Sequence, residues 1–230
     1  MINKIKTAED AIADVKDGAV IMIAGFLGTG TPEILIDALV KKGVKNLTII
    51  ANDGGLPAGA MGHEKPRGIG KLLAAGMVKH IIASHVGMNP LIGKGMNDKT
   101  LECTLVPQGT LAERIRAAGA GLGGVLTPTG VGTIIAEGKV TIQVDGKDYL
   151  LEKPLKADFA FCRASLCDTF GNFTCNLATK NFNPLMATAA DTVILATEKM
   201  LEVGENSPDA FSTSGIYVDY IVGGEEPWQI

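Results

Sequence analysis

Short apolar runs recur along the chain, and most end in glycine, asparagine, glutamine or proline. Residues 19–23 (AVIMI), 47–51 (LTIIA), 78–84 (VKHIIAS), 101–106 (LECTLV), 157–163 (ADFAFCR), 192–196 (TVILA) and 217–222 (YVDYIV) read as strands. AVIMI has no polar alternation, as in a strand covered on both faces. Between the runs the apolar period lengthens to that of a helix. Thr7 is placed to N-cap a first helix, with Asp10 at capping-box distance and Ile5, Ala8, Ile12 and Val15 as its stripe. A second helix takes Thr31 as N-cap and Pro32 in its first turn. It shows Ile34, Leu35, Ala38 and Leu39 on one face and stops at Gly43. Residues 69–75 and 111–121 predict two more helices. Strands alternating with helices give an α/β fold, an open, mostly parallel sheet with helices on both faces. Residues 140–144 and 148–151 alternate across Asp145-Gly146 and predict a β-hairpin excursion from that sheet. With no internal linker, residues 1–222 read as one domain, followed by a mobile tail over 223–230.

Composition narrows the function classes. At 230 residues the chain can bury a substantial core, and 46% hydrophobic with 20% charged residues is globular. A net charge of −4 leaves no basic footprint for nucleic acid. No apolar run approaches the ~18 residues of a membrane span, and acidic residues occupy the place of a signal-peptide core, so a cytoplasmic location is expected. The 29 glycines are spread along the chain, and the mean hydropathy is +0.23. Both fit many tight turns and an apolar surface covered in an oligomer. Cys103, Cys162, Cys167 and Cys175 lack C-x-x-C spacing, and His63, His80 and His85 share no spacing, so no metal site is expected.

Candidate chemistry gathers where strands end. After residues 19–23 come Ala24, Gly25, Phe26, Leu27, Gly28, Thr29 and Gly30, a loop with little side-chain bulk, then a helix start. Such a loop lets a ligand approach the backbone, and the helix behind it offers N–H groups to an anionic or carbonyl oxygen. The glycines run G-x-x-G-x-G, which is neither the dinucleotide fingerprint nor a phosphate loop. Residues 119–133 (GAGLGGVLTPTGVGT) lack the strand-then-helix frame of that fingerprint and read as a rigid loop. Asn52 ends the second strand, as a turn residue or as a donor. Gln108 follows the fourth; from the residues alone, capping the next helix is favoured over donating to a carbonyl.

Three blocks, far apart and in order, carry a resemblance. They are Asp17-Gly18 with Gly25, Phe26, Gly28, Gly30 and Pro32; residues 107–114 (PQGTLAER); and residues 181–184 (NFNP). Together they make the chain similar to the A subunit of type I coenzyme A transferases over residues 5 to about 222, closest to those handling acetate, acetoacetate or butyrate. Ala24 stands where the family has a first glycine. The resemblance implies the fold shared by these transferases and ribose-5-phosphate isomerase. It also implies a ping-pong transfer through an enzyme glutamyl-CoA thioester, with coenzyme A as substrate and no further cofactor. The nucleophilic glutamate belongs to a Ser-Glu-Asn-Gly motif on a partner B subunit, and this chain has no such motif. Glu113, Glu198 and Glu202 read as solvated faces, and Glu64 as part of a polar loop. With the resemblance, Gln108 becomes an oxyanion donor, and residues 24–30 with Asn52 become the acyl-CoA and carboxylate contacts. Phe26 then either walls a short acyl chain or packs into the core. Arg114 and Arg116 read as a solvated helix face ahead of a CoA-phosphate site. Two other readings stand beside this one. A sugar-phosphate isomerase needs an acid and a base near the glycine loop, and no such pair can be assembled here. A non-catalytic acyl-CoA- or carboxylate-binding regulatory module is separated from the first reading by the absence of a partner carrying Ser-Glu-Asn-Gly.

Overall fold

The computed structural model describes residues 3–227. Thr7 accepts from the Asp10 N–H and caps α1 (Ala8–Ala11). Strand and helix then alternate through β1 (Val20–Ile23), α2 (Glu33–Lys42), β2 (Leu47–Asp53), α3 (Ile69–Ala74), β3 (Val78–His85), α4 (Pro90–Asn97), β4 (Glu102–Leu105) and α5 (Gln108–Gly119). An antiparallel excursion follows, of β5 (Val125–Thr127), β6 (Thr141–Val144) and β7 (Lys147–Glu152), in the order β5-β7-β6. The chain returns through β8 (Ala157–Ala164), β9 (Leu166–Asp168), β10 (Phe173–Thr174), α6 (Asn183–Met186), β11 (Ala190–Thr197), β12 (Met200–Leu201) and β13 (Tyr220–Gly223).

The main sheet runs β13-β11-β8-β1-β2-β3-β4, and each of its neighbouring pairs is parallel. Two cores explain the unbroken apolar run of β1. Ile21 and Ile23 pack on one face with Leu35, Leu39, Leu72 and Ile92, whereas Met22 packs on the other with Leu111, Ile115 and Met186. Both faces are therefore covered, by α1–α4 and by α5 with α6 respectively. From β1 the sheet grows outward through β2, β3 and β4, while β8, β11 and β13 build the opposite half. The crevice outside the carboxyl ends of β1 and β8 is a topological switch point, where open α/β sheets take their ligands.

Several boundaries differ from the sequence expectation. Helix α2 starts at Glu33 with Pro32 at its cap, and the buried Thr31 makes no capping bond. Helix α4 was hidden in a glycine-containing stretch; Asn89 caps it through the Leu91 N–H, with Pro90 at its first position. Strand β5 lies inside the stretch expected to be a rigid loop. The expectation of a mobile tail from residue 223 needs correction over 223–227. Gly223 ends β13, and Glu225 is 5% exposed and bound into the fold. Residues 228–230 lie outside the described residues.

Candidate functional site

The loop after β1 is a miniature hairpin. Phe26 and Thr29 exchange both backbone hydrogen bonds, at 3.0 and 2.9 Å. The two residues between them, Leu27 and Gly28, both have positive φ (48° and 86°), which a tight primed turn demands. Glycine meets that demand freely, whereas leucine is strained by it. Four side chains from elsewhere hold this backbone. Asn52 Nδ2 donates to Gly25 O (2.7 Å), Asn181 Nδ2 to Thr29 O (2.9 Å) and Asn183 Nδ2 to Gly30 O (2.9 Å). The Asp53 carboxylate accepts from the Leu27 N–H (2.8 Å) and the Gly55 N–H (2.6 Å). Gly30 must be glycine, because a Cβ there would sit 2.6 Å from Thr179 O. Phe26 stands out from this turn, 41% exposed, and is not a core residue.

Parallel strands deliver Asn52, Ser84 and Gln108 to the same edge. Asn52, 1% exposed, accepts from Gln108 Nε2 at 2.6 Å through its Oδ1. Ser84 Oγ lies within hydrogen-bond reach of Asn52 O (2.8 Å) and of Gln108 Oε1, and its single proton serves either. The carboxamide of Gln108 is thereby oriented on both sides while the residue stays exposed at the first position of α5. It makes no capping bond, since Pro107 holds the cap position. Of the residues expected to form a site, Asn52, Gln108 and the loop over 24–30 are thus brought into one connected network. Burial pushes the Asp53 carboxyl above the usual carboxylate range, against the Leu27 and Gly55 N–H groups and the nearby His85.

The α2 N-terminus, expected to face a ligand, is instead covered from within. Glu225 Oε2 accepts from the Ile34 N–H at 3.1 Å, and its Oε1 lies 3.2 Å from Arg163 Nη1. Arg163 is 2% exposed, donates to Thr31 O and pairs with Glu198 at 2.8 Å. Glu198 is therefore part of a buried ion network and not a solvated face. Burial raises the Glu225 carboxyl to about 7, opposed by the Ile34 N–H and Arg163. A cavity of about 710 Å3 opens beside this cluster, with Glu64 and Lys65 on its wall. Arg114 bonds Lys153 O and approaches Glu152, and Arg116 pairs with Glu113 on the exposed face of α5. Burial holds the Cys167 thiol up at about 11 and the Cys175 thiol at about 12, so both stay protonated. Among the described residues no group of His, Cys, Asp or Glu could hold a metal ion, and no helix is long and apolar enough to cross a membrane.

Sequence reasoning does not single out Asp53 or Ser84. The NFNP block marks Asn181 and Asn183 without revealing that both grip the loop after β1. Asp53 signals itself only as a carboxylate between a strand and two glycines.

Comparison with known proteins finds relatives over nearly the whole chain. The family model described as "Coenzyme A transferase" matches residues 5–224. The acetate CoA-transferase subunit alpha of Escherichia coli K12 is 48% identical over 98% of this chain and 99% of its own length. The acetoacetyl-CoA:acetate/butyrate CoA transferase alpha subunit of Clostridium acetobutylicum is 48% identical over 96% of this chain and 98% of its own. An acyl-CoA transferase of Escherichia coli O157:H7, solved as a thioester complex with CoA, superposes with a TM-score of 0.84 at 27% identity. That match covers 99% of this chain, which spans about half (48%) of the solved chain. These relatives favour the transferase reading over an isomerase or a regulatory module. By its matching residues, its sheet and its relatives, this chain belongs to the coenzyme A transferase family.

Proposed function

We propose that this chain, an alpha-type subunit of a coenzyme A transferase, frames the acyl pocket of a short-chain acyl-CoA:carboxylate CoA-transferase while a partner B subunit supplies the nucleophile. The acids are acetate, acetoacetate or butyrate, coenzyme A is a substrate, and no further cofactor takes part. Residues 1–222, with the stretch to 227 packed against them, act as one A-subunit domain in the cytoplasm. The partner's Ser-Glu-Asn-Gly glutamate attacks the thioester carbonyl. The tetrahedral intermediate expels CoA thiolate and leaves a mixed anhydride. The thiolate then attacks the glutamyl carbonyl, giving the glutamyl-CoA thioester and releasing the first acid as its carboxylate. A second carboxylate runs the same steps in reverse.

Each tetrahedral intermediate places negative charge on a carbonyl oxygen, and a preorganised donor there is worth roughly 3 kcal/mol. Gln108 is our donor. One N–H of Nε2 is spent on Asn52, and the other is left to an incoming oxygen. Residues 24–30 and Asn52 contact the acyl group and carboxylate, with the exposed Phe26 as the pocket wall. The observation that carries this reading is the oriented carboxamide of Gln108 in one network with the glycine loop. Asp53, the carboxylate joined to that loop, has both oxygens engaged by backbone N–H groups and is not offered as a nucleophile.

The test is an acyl-CoA:acetate exchange assay, on this chain alone and then with its B-type partner. Activity only in the mixture supports the division of labour. Activity in this chain alone overturns it, and inactivity of an associated pair overturns the transferase reading.

A further inference from the structure

Leu27 combines two independent oddities. It is a non-glycine residue at positive φ, at the tip of the hairpin over 26–29, and its N–H is held by a buried carboxylate from another strand. Backbone strain of this kind persists only where the surroundings enforce it, and such enforcement clusters at sites of chemistry. The enforcing group is Asp53, 4% exposed at the end of β2. One of its oxygens holds Leu27 and the other holds Gly55, so it braces the hairpin against the turn after β2. The bond fixes the tip, while Gly25, which leads into the hairpin, is held by Asn52 Nδ2. Asn52, the residue before Asp53, orients Gln108. One strand end thus holds both the loop and the Gln108 amide.

We propose that Asp53 is a positioning residue for acyl transfer, its carboxylate holding Leu27 so that the loop after β1 keeps its place against Asn52 and the Gln108 amide that Asn52 aims. This rests on the transferase reading given above. The groups facing Asp53 are the Leu27 and Gly55 N–H and, in register on β3, the titratable His85. An asparagine in its place would turn an NH2 group toward one of the two N–H groups and release it.

The experiment uses the assembled enzyme. First, the unmutated pair is assayed; inactivity there overturns the transferase reading and is seen before any variant is made. Asp53→Asn is then expected to lower kcat at least tenfold with the KM for acyl-CoA within twofold. Amide exchange should quicken in residues 25–29 and 54–56 while the rest of the chain keeps its protection. An unchanged kcat, or faster exchange spread over the whole chain, overturns the proposal. Should the variant fail to assemble, the unmutated chain decides. Leu27 N–H should be protected from exchange at least tenfold relative to an unstructured peptide, and unprotected exchange overturns the proposal.

Discussion

A carboxamide has two N–H groups, and at Gln108 the fold uses one of them to aim the other. Asn52 takes the first, and Ser84 lies against the carbonyl side. Truncation to Gln108→Ala removes the aimed donor and leaves the helix in place, so kcat in the assembled enzyme should fall about 100-fold with the complex intact. Steady-state kinetics beside a sizing run checks this, and an unchanged rate removes Gln108 from the mechanism. Glu225 shows what a buried residue costs. Its carboxyl titrates near 7 in the fold against 4.5 when free, so the folded chain holds the proton more tightly than the unfolded one. Its contribution to stability is complete below about pH 4.5 and is lost as the pH rises through about 7. Between these limits the native chain should lose on the order of 3 kcal/mol more stability than Glu225→Gln. Urea titrations across that range test this, and parallel curves would contradict the burial argument. Asn52, near the end of β2, and Gln108, opening α5 after β4, were legible because a polar side chain stands out where an apolar run stops. Asp53 and Glu225 were not, because their partners lie in distant segments, at Leu27 and at Ile34.

Among elements, the strands were the easiest to read and the glycine-containing connections the hardest. Burial on both faces writes an unbroken apolar run such as that of β1. By contrast, α4 carries Gly93 and Gly95 and exposes Leu91 and Met96, so its pattern is blurred and only Asn89-Pro90 announces it. The loop after β1 read as an open glycine cradle and is instead a braced turn. Sequence shows the flexibility of its glycines and not the side chains that remove it. Those braces differ in weight. Asn183 is fully buried, donates to Gly30 O and Thr179 O, and accepts from the Arg163 N–H at 2.7 Å. Asn183→Ala strands these three groups in the core and should destabilise the chain by about 3 kcal/mol. Asn181 is partly solvated and bonds Thr29 O and Ala178 O, so Asn181→Ala should cost about 1 kcal/mol. Denaturant unfolding of both variants decides, and equal losses would deny Asn183 its central part.

For the whole molecule, the resemblance read from three separated blocks and the parallel sheet agree on the coenzyme A transferase fold, and relatives named as alpha subunits imply a partner subunit. Trapping with borohydride after acyl-CoA treatment should therefore leave the reduced carboxyl on the partner chain, and mass spectrometry finding it on this chain would reverse the assignment. The order of the sheet has a consequence for how the protein is made. Strand β1 lies at the centre, with Ile21 paired to Phe159 on β8. On the ribosome β1, β2, β3 and β4 emerge first and can pair among themselves, yet one edge of β1 stays open until β8 arrives. At ~5–20 residues per second that wait is about 7–30 s. For that time the half-sheet presents the open edge of β1 to chaperones and to other nascent chains. Synthesis slowed before residue 157 should lengthen that exposure and lower the yield of folded subunit.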